Sequence, residues 1–239
     1  LSQELEPVVD LGPVQWVRDA LPEFGLFLPP DYDAYVAILH PFRRAVRSPG
    51  TLSGFAIVWL SWHEVSASLG VPFETNTDWE SIDGFGSPQE GALEDAQLAA
   101  LLPLLTSHTR TPDTCWFAVW EGRTDLDRGV DMSTWPPTQP PPGFDLDGRP
   151  QLQLPCRSYY VVRGAVRAAA HVSATDVFNE TAPDGGEGVD LWWPDDRSWF
   201  VATDIDFSLT YVCGSDALIE AILEDSRLEA IRVDATGAS

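Results

Sequence analysis

The chain has 239 residues, 37 of them acidic and 14 basic, for a net charge of −23 at neutral pH, and 44% are apolar. That apolar share supports a full core, in one large domain or two, and excludes wholesale disorder. The charge repels nucleic-acid phosphates and anionic lipid, so neither nucleic acid nor a membrane surface is expected as a partner; solubility is its plain reading, and a basic protein partner is compatible with it.

All 14 basic residues are arginine, a usage that fits a GC-rich genome. Without lysine there is no Schiff base, no pyridoxal phosphate anchor and no phosphate-loop lysine. Cys115, Cys156 and Cys213 are far apart and odd in number. Neither a disulfide framework nor a structural zinc site is expected, and buried reduced thiols are the default. No apolar run approaches a membrane span, and residues 1–20 lack a basic start with a long apolar core, so the expected location is cytoplasmic.

In chain order, residues 1–13 read as an edge or tail and 14–21 as a short helix or strand. Residues 24–28 read as a strand leading to Pro29-Pro30. Asp31 then opens a predicted helix over 32–39, with Tyr35, Ile38 and Leu39 on one face, Pro41 ending it and His40 capping its last carbonyls. Phe55–Leu60 reads as a buried strand. Ser61 and Glu64 have capping-box spacing, so a helix runs to Leu69 and stops at Gly70. Residues 71–91 are turn-rich, and Gly84-Phe85-Gly86 lacks the third glycine of a dinucleotide fingerprint.

Residues 93–105 predict a helix with Leu98, Leu101, Leu102 and Leu105 as its stripe. Residues 114–121 predict a central strand, apolar on both faces. The Pro-rich stretch 135–143 is an extended surface loop, and 133–150 is the one candidate boundary in an otherwise single α+β domain of 1–239. Residues 152–163 read as one strand, and Gly164 opens a helical stretch toward Phe178. Residues 209–213 are strand, Ser215 caps a helix over 216–224, and 228–233 is a last strand. Strands and short helices without regular βαβ alternation imply α+β: a mixed, mostly antiparallel central sheet with short flanking helices.

The stretch 191–207 organises this pattern. Pro194, Asp195 and Asp196 form a turn between two strands. After it, Trp199, Val201, Thr203 and Ile205 share one face, and Phe200, Ala202, Asp204 and Asp206 the other. Trp192, Trp193, Asp195, Asp196, Arg197 and Trp199 are the candidate binding residues, because tryptophan and arginine dominate interface hot spots. Core packing of the tryptophans, with Arg197 paired to Asp195 or Asp196, is the competing reading.

Catalytic signals are sparse. Gly-x-Ser-x-Gly is absent, and His63-Glu64 lacks the second histidine of a zinc-protease helix, since position 67 is alanine. His171 in its Ala-rich stretch reads as structural. Asp204 and Asp206 could meet Glu121 if their strands are neighbours, but no fuller ligand set is seen; no metal and no cofactor are expected. An enzyme whose carboxylates and a histidine converge from scattered segments is the alternative to a binding module.

Residues 35–41 (Tyr-Val-Ala-Ile-Leu-His-Pro), 115–122 (Cys-Trp-Phe-Ala-Val-Trp-Glu-Gly) and 191–206 together resemble a family of uncharacterised actinobacterial proteins, which carries no known activity to transfer. Leu28-Pro29-Pro30-Asp31-Tyr32-Asp33-Ala34-Tyr35 is similar to the Leu-Pro-x-Asp/Glu-Tyr helix start of the SUKH-type immunity superfamily. That second resemblance implies an acidic protein that binds a basic toxin. The expectation is thus a cytoplasmic, acidic binding module acting by protein contact, immunity-like in kind.

Overall fold

The computed structural model describes residues 5–21, 28–47, 55–70, 88–122, 148–155, 157–173 and 188–236. The expectations for 24–27, for 71–87 with Gly84 and Gly86, for most of 133–150 and for 174–187 lie outside them. The fold class is α+β, as the sequence implies.

The strands are β1 (Leu5–Pro7), β2 (Ala34–Leu39), β3 (Phe42–Arg47), β4 (Phe55–Leu60), β5 (Cys115–Trp120), β6 (Leu152–Gln153), β7 (Ser158–Gly164), β8 (Leu191–Pro194), β9 (Trp199–Thr203), β10 (Leu209–Gly214) and β11 (Ala230–Val233). The helices are α1 (Trp16–Ala20), α2 (Trp62–Leu69), α3 (Asp95–Ser107), α4 (Ala169–Ser173) and α5 (Asp216–Glu224). Nine strands form one sheet in the order β1-β7-β5-β8-β9-β10-β2-β11, with β6 also on β7. Every pairing in it is antiparallel. β3 and β4 form a separate two-stranded ribbon. β5 and β7, on either side of the Pro-rich stretch, pair directly.

The hairpin β8–β9 lies in the middle of the sheet and is buried on both faces. Strand alternation sends Phe117, Trp192, Trp199, Val201 and Val212 toward α3 and α5, where Leu101, Leu105, Leu218 and Ile222 cover them. The opposite set, Trp116, Trp193, Phe200, Ala202 and Cys213, packs under Val14 and Val17 from the N-terminal segment. Aromatic pairs lock the hairpin: Trp193 stacks on Phe200 at 5.5 Å, and Trp192 meets Trp199 edge-on at 5.4 Å. Gly214 sits opposite Trp199, and a Cβ there would come within 2.9 Å of Leu218 Cδ2 and 3.3 Å of Trp199 Cβ.

Caps are where local sequence succeeds. Ser61 and Glu64 form the capping box of α2, and Gly70 closes it with φ of 66°. Ser215 accepts from the Leu218 amide at the start of α5. Glu229 also reaches the start of α2, accepting from the Trp62 and His63 amides at 2.7 and 3.0 Å and pairing with His63 Nδ1.

Several expectations need correction. Residues 34–39 are strand β2, not helix, and 31–33 are turn, so the segment similar to the immunity-type helix start is turn and strand here. All six residues of β2 are buried, and two-sided burial erases the alternation that marks a strand. The stretch 152–163 is two strands that fold back on each other around 154–157. Gly164 ends β7, and the expected helical stretch begins two residues later, over 166–173 among the described residues. β4 is a strand but not buried throughout: Val58 and Trp59 are exposed on the ribbon.

Trp199 is fully buried and its Nε1 donates to the Leu105 carbonyl at 2.9 Å. Trp199→Ala should therefore lower unfolding stability by about 3–5 kcal/mol, read from the denaturant midpoint at unchanged slope. A loss below about 1 kcal/mol would place the hairpin outside the core.

Candidate functional site

The candidate residues separate into core and rim. Trp192, Trp193 and Trp199 are all within 2% of complete burial, so they build the sheet and offer no surface. Asp195 and Arg197 are exposed at the turn, with Asp196 half-buried. The turn is a type I arrangement closed by the Arg197 amide on the Pro194 carbonyl at 2.9 Å. Arg197 is the third of the four loop residues between β8 and β9 and has φ of 54°, the left-handed state that glycine or asparagine normally fills.

Every amide from 195 to 198 is bonded. Asp195 donates to the Thr114 carbonyl, Asp196 to Thr111 Oγ1, and Ser198 to Asp196 Oδ1. The Asp196 carboxylate also accepts from Thr109 Oγ1 at 2.8 Å and from the Arg110 amide at 2.7 Å. Burial pushes its pKa up, but these hydrogen bonds outweigh burial and hold it below the usual carboxylate value. Asp195 Oδ1 accepts from Trp116 Nε1 at 3.1 Å.

Arg197 does not pair with either aspartate, contrary to the core-packing expectation. Its guanidinium lies over the Trp16 ring, 4.5 Å from the centroid. Trp16 in turn stands edge-on against Trp193 and Phe200, at 5.7 and 5.9 Å. Tyr32 Oη donates to the Arg197 carbonyl at 3.1 Å. Trp16 and Tyr32 are half-buried, and Asp31 and Asp33 beside Tyr32 are exposed. The face is thus a rigid turn on an aromatic floor with an acidic rim. Trp16 and Tyr32 were not among the expected site residues; no sequence signal joins Tyr32 to a residue 165 positions away.

Two groups of the enzymatic alternative are tied to an arginine. Asp204 and Asp206 belong to the turn after β9, not to a strand face. Both accept from Arg157 Nη2, at 2.9 and 2.8 Å, and Arg157 lies 5.1 Å from the centroid of Trp120. Glu121 is exposed after β5, which β8 separates from β9. Among the described residues, no group of three or more His, Cys, Asp or Glu side chains could hold a metal.

His40 is fully buried at the end of β2, not a helix cap. Its Nδ1 donates to the Gln89 carbonyl at 2.9 Å, which leaves Nε2 to accept from Thr210 Oγ1 at 2.8 Å. Thr210 then accepts from Thr203 Oγ1 at 2.7 Å, so the relay has one direction. The nearby cavity lined by Leu98, Trp192 and Thr203 is about 20 Å³, room for a single water. Cys115 and Cys213 are free and buried, and burial pushes both thiols well above their ordinary range. No described helix is long and apolar enough to cross a membrane.

The chain matches no protein-family model, no curated protein and no solved structure.

Burial lowers the His40 pKa from 6.5 to about 4. The unfolded chain therefore binds this proton first, and the stabilising share of neutral His40 is full above pH 6.5 and lost as pH falls through 4. The loss should approach about 3 kcal/mol. Denaturant titrations across that window should show a steeper acid loss in the wild type than in His40→Gln, which has no such proton to bind. Equal slopes would mean His40 titrates as in water.

Proposed function

We propose that this chain is an acidic, cytoplasmic binding module that works by protein contact, through the β8–β9 turn face, on a basic protein partner. Arg197 carries the reading. An exposed arginine stands at φ 54° where glycine would fit without strain, and a strained non-glycine residue held at a surface is a mark of function. The surrounding bonds support a pre-organised contact, which lowers the entropy lost on binding. Exposed Asp31, Asp33 and Asp195 give the rim the sign a basic partner needs. An immunity-type role, in which an acidic protein covers a basic one, would use the same face.

The strain separates stability from contact. Arg197→Gly relieves about 1–2 kcal/mol of left-handed strain and loses about 0.5–1 kcal/mol of cation–π attraction. It should leave the chain as stable as before or slightly more stable in denaturant titration. Contact should nevertheless fail. A photo-crosslinking residue in place of exposed Gln15, next to Trp16, should form a discrete adduct with a basic protein in cells, and Arg197→Gly should suppress that adduct. No discrete adduct, or one that Arg197→Gly leaves intact, would contradict the proposal.

A further inference from the structure

Among the described residues the Arg197 guanidinium has no hydrogen-bonding counterpart. Among the described residues no carboxylate or carbonyl takes its N–H groups, although Asp195 and Asp196 precede it directly. Both neighbours are engaged elsewhere, Asp195 by Trp116 Nε1 and Asp196 by Thr109, the Arg110 amide and Ser198. In a chain where acids outnumber arginines 37 to 14, an exposed arginine at a tight turn has carboxylates within easy reach. The left-handed backbone turns this one away from them and onto Trp16.

A guanidinium held over an indole through its carbon still carries its N–H donors at its edge. It presents the planar fork that matches a carboxylate with two parallel bonds. The stacking also fixes the fork before any ligand arrives, because Trp16 is itself wedged against Trp193 and Phe200. Asp195 lies two residues before Arg197, and Asp31 and Asp33 flank Tyr32, which bonds the Arg197 carbonyl; this negative charge disfavours a doubly charged phosphate or an acidic run. They suit a single carboxylate flanked by cations.

We infer that Arg197 on Trp16 is a carboxylate receptor, which takes one Glu or Asp side chain of the partner set between basic residues. This deepens the proposed protein contact and rests on it for the identity of the ligand-bearing partner. The receptor reads charge and shape together: the carboxylate meets the fork while its basic neighbours meet Asp195 and the aspartates beside Tyr32.

The test uses the full chain with nitrogen-15 arginine and follows side-chain Nε–Hε resonances by NMR. The probe is the peptide acetyl-Arg-Glu-Arg-amide at millimolar concentration, with acetyl-Arg-Gln-Arg-amide and inorganic phosphate as comparisons. The Arg197 Hε signal should move downfield and saturate with the Glu peptide. The Gln peptide should bind at least about tenfold more weakly, the factor set by one charged hydrogen bond. Phosphate should shift Arg197 less than the Glu peptide does, and exposed Arg18 should not follow. Arg197→Lys, which keeps charge without the fork, should lose the preference for Glu over Gln, read from the Trp16 indole resonance. No shift, equal responses to the two peptides, a stronger response to phosphate, or Arg18 moving as far as Arg197 would each overturn the receptor. Peptide binding without a cellular adduct would retain the receptor and remove the proposed partner; an adduct without peptide binding would do the reverse.

Discussion

A hairpin buried on both faces cannot move without opening both cores. β8 and β9 meet this condition: alternate side chains of each strand enter opposite aromatic layers, one under α3 and α5 and one under the N-terminal segment. Its loop closes in four residues, Asp195 to Ser198, and the third of them takes the left-handed state. Arg197 occupies that place, and its orientation is set by the core beneath it rather than by its own rotamers. The strain is local, while the packing that holds it is spread over the sheet.

The two ends of the sheet are built differently. At the β8–β9 turn, the backbone amides are satisfied by Thr111, Thr114, Pro194 and the Asp196 carboxylate, and among the described residues nothing hydrogen-bonds the Arg197 guanidinium over its indole. At the other end, the His40–Thr210–Thr203 relay is closed within the protein, and Arg157 Nη2 is taken by Asp204 and Asp206. Closed polar networks specify a fold; an open, pre-positioned donor is available for recognition. That contrast is why the functional proposal falls on the first end.

Much of the fold was legible because its signals are local. The Ser61/Glu64 box, Gly70 and Ser215 mark helix ends through bonds within a few residues. The hairpin at 191–203 announced itself through Pro194 and the aspartates after it. β2 has the sequence look of a helix because Ala34 to Leu39 are all buried, and a continuous apolar run has the same pattern in either helix or strand. The single strand expected over 152–163 failed where Pro155 interrupts it, since proline removes a ladder donor. The site was half legible. Arg197 could be named, but the tryptophans beside it are core, and its real neighbours, Trp16 and Tyr32, reach it only through the tertiary fold. Asp204 and Asp206 looked like an acidic strand face until Arg157, which is 47 and 49 residues away, claimed both.

The central claim is that the turn presenting Arg197 is as rigid as the sheet that carries it. Native-state amide hydrogen exchange tests it most directly, because all four amides from 195 to 198 donate hydrogen bonds. The expected result is that these amides open only with the strand amides of Trp192, Val201 and Val212, with the same dependence on denaturant. Exchange of the turn amides at rates near those of an unstructured peptide, while the strands stay protected, would show a fraying loop and contradict the account.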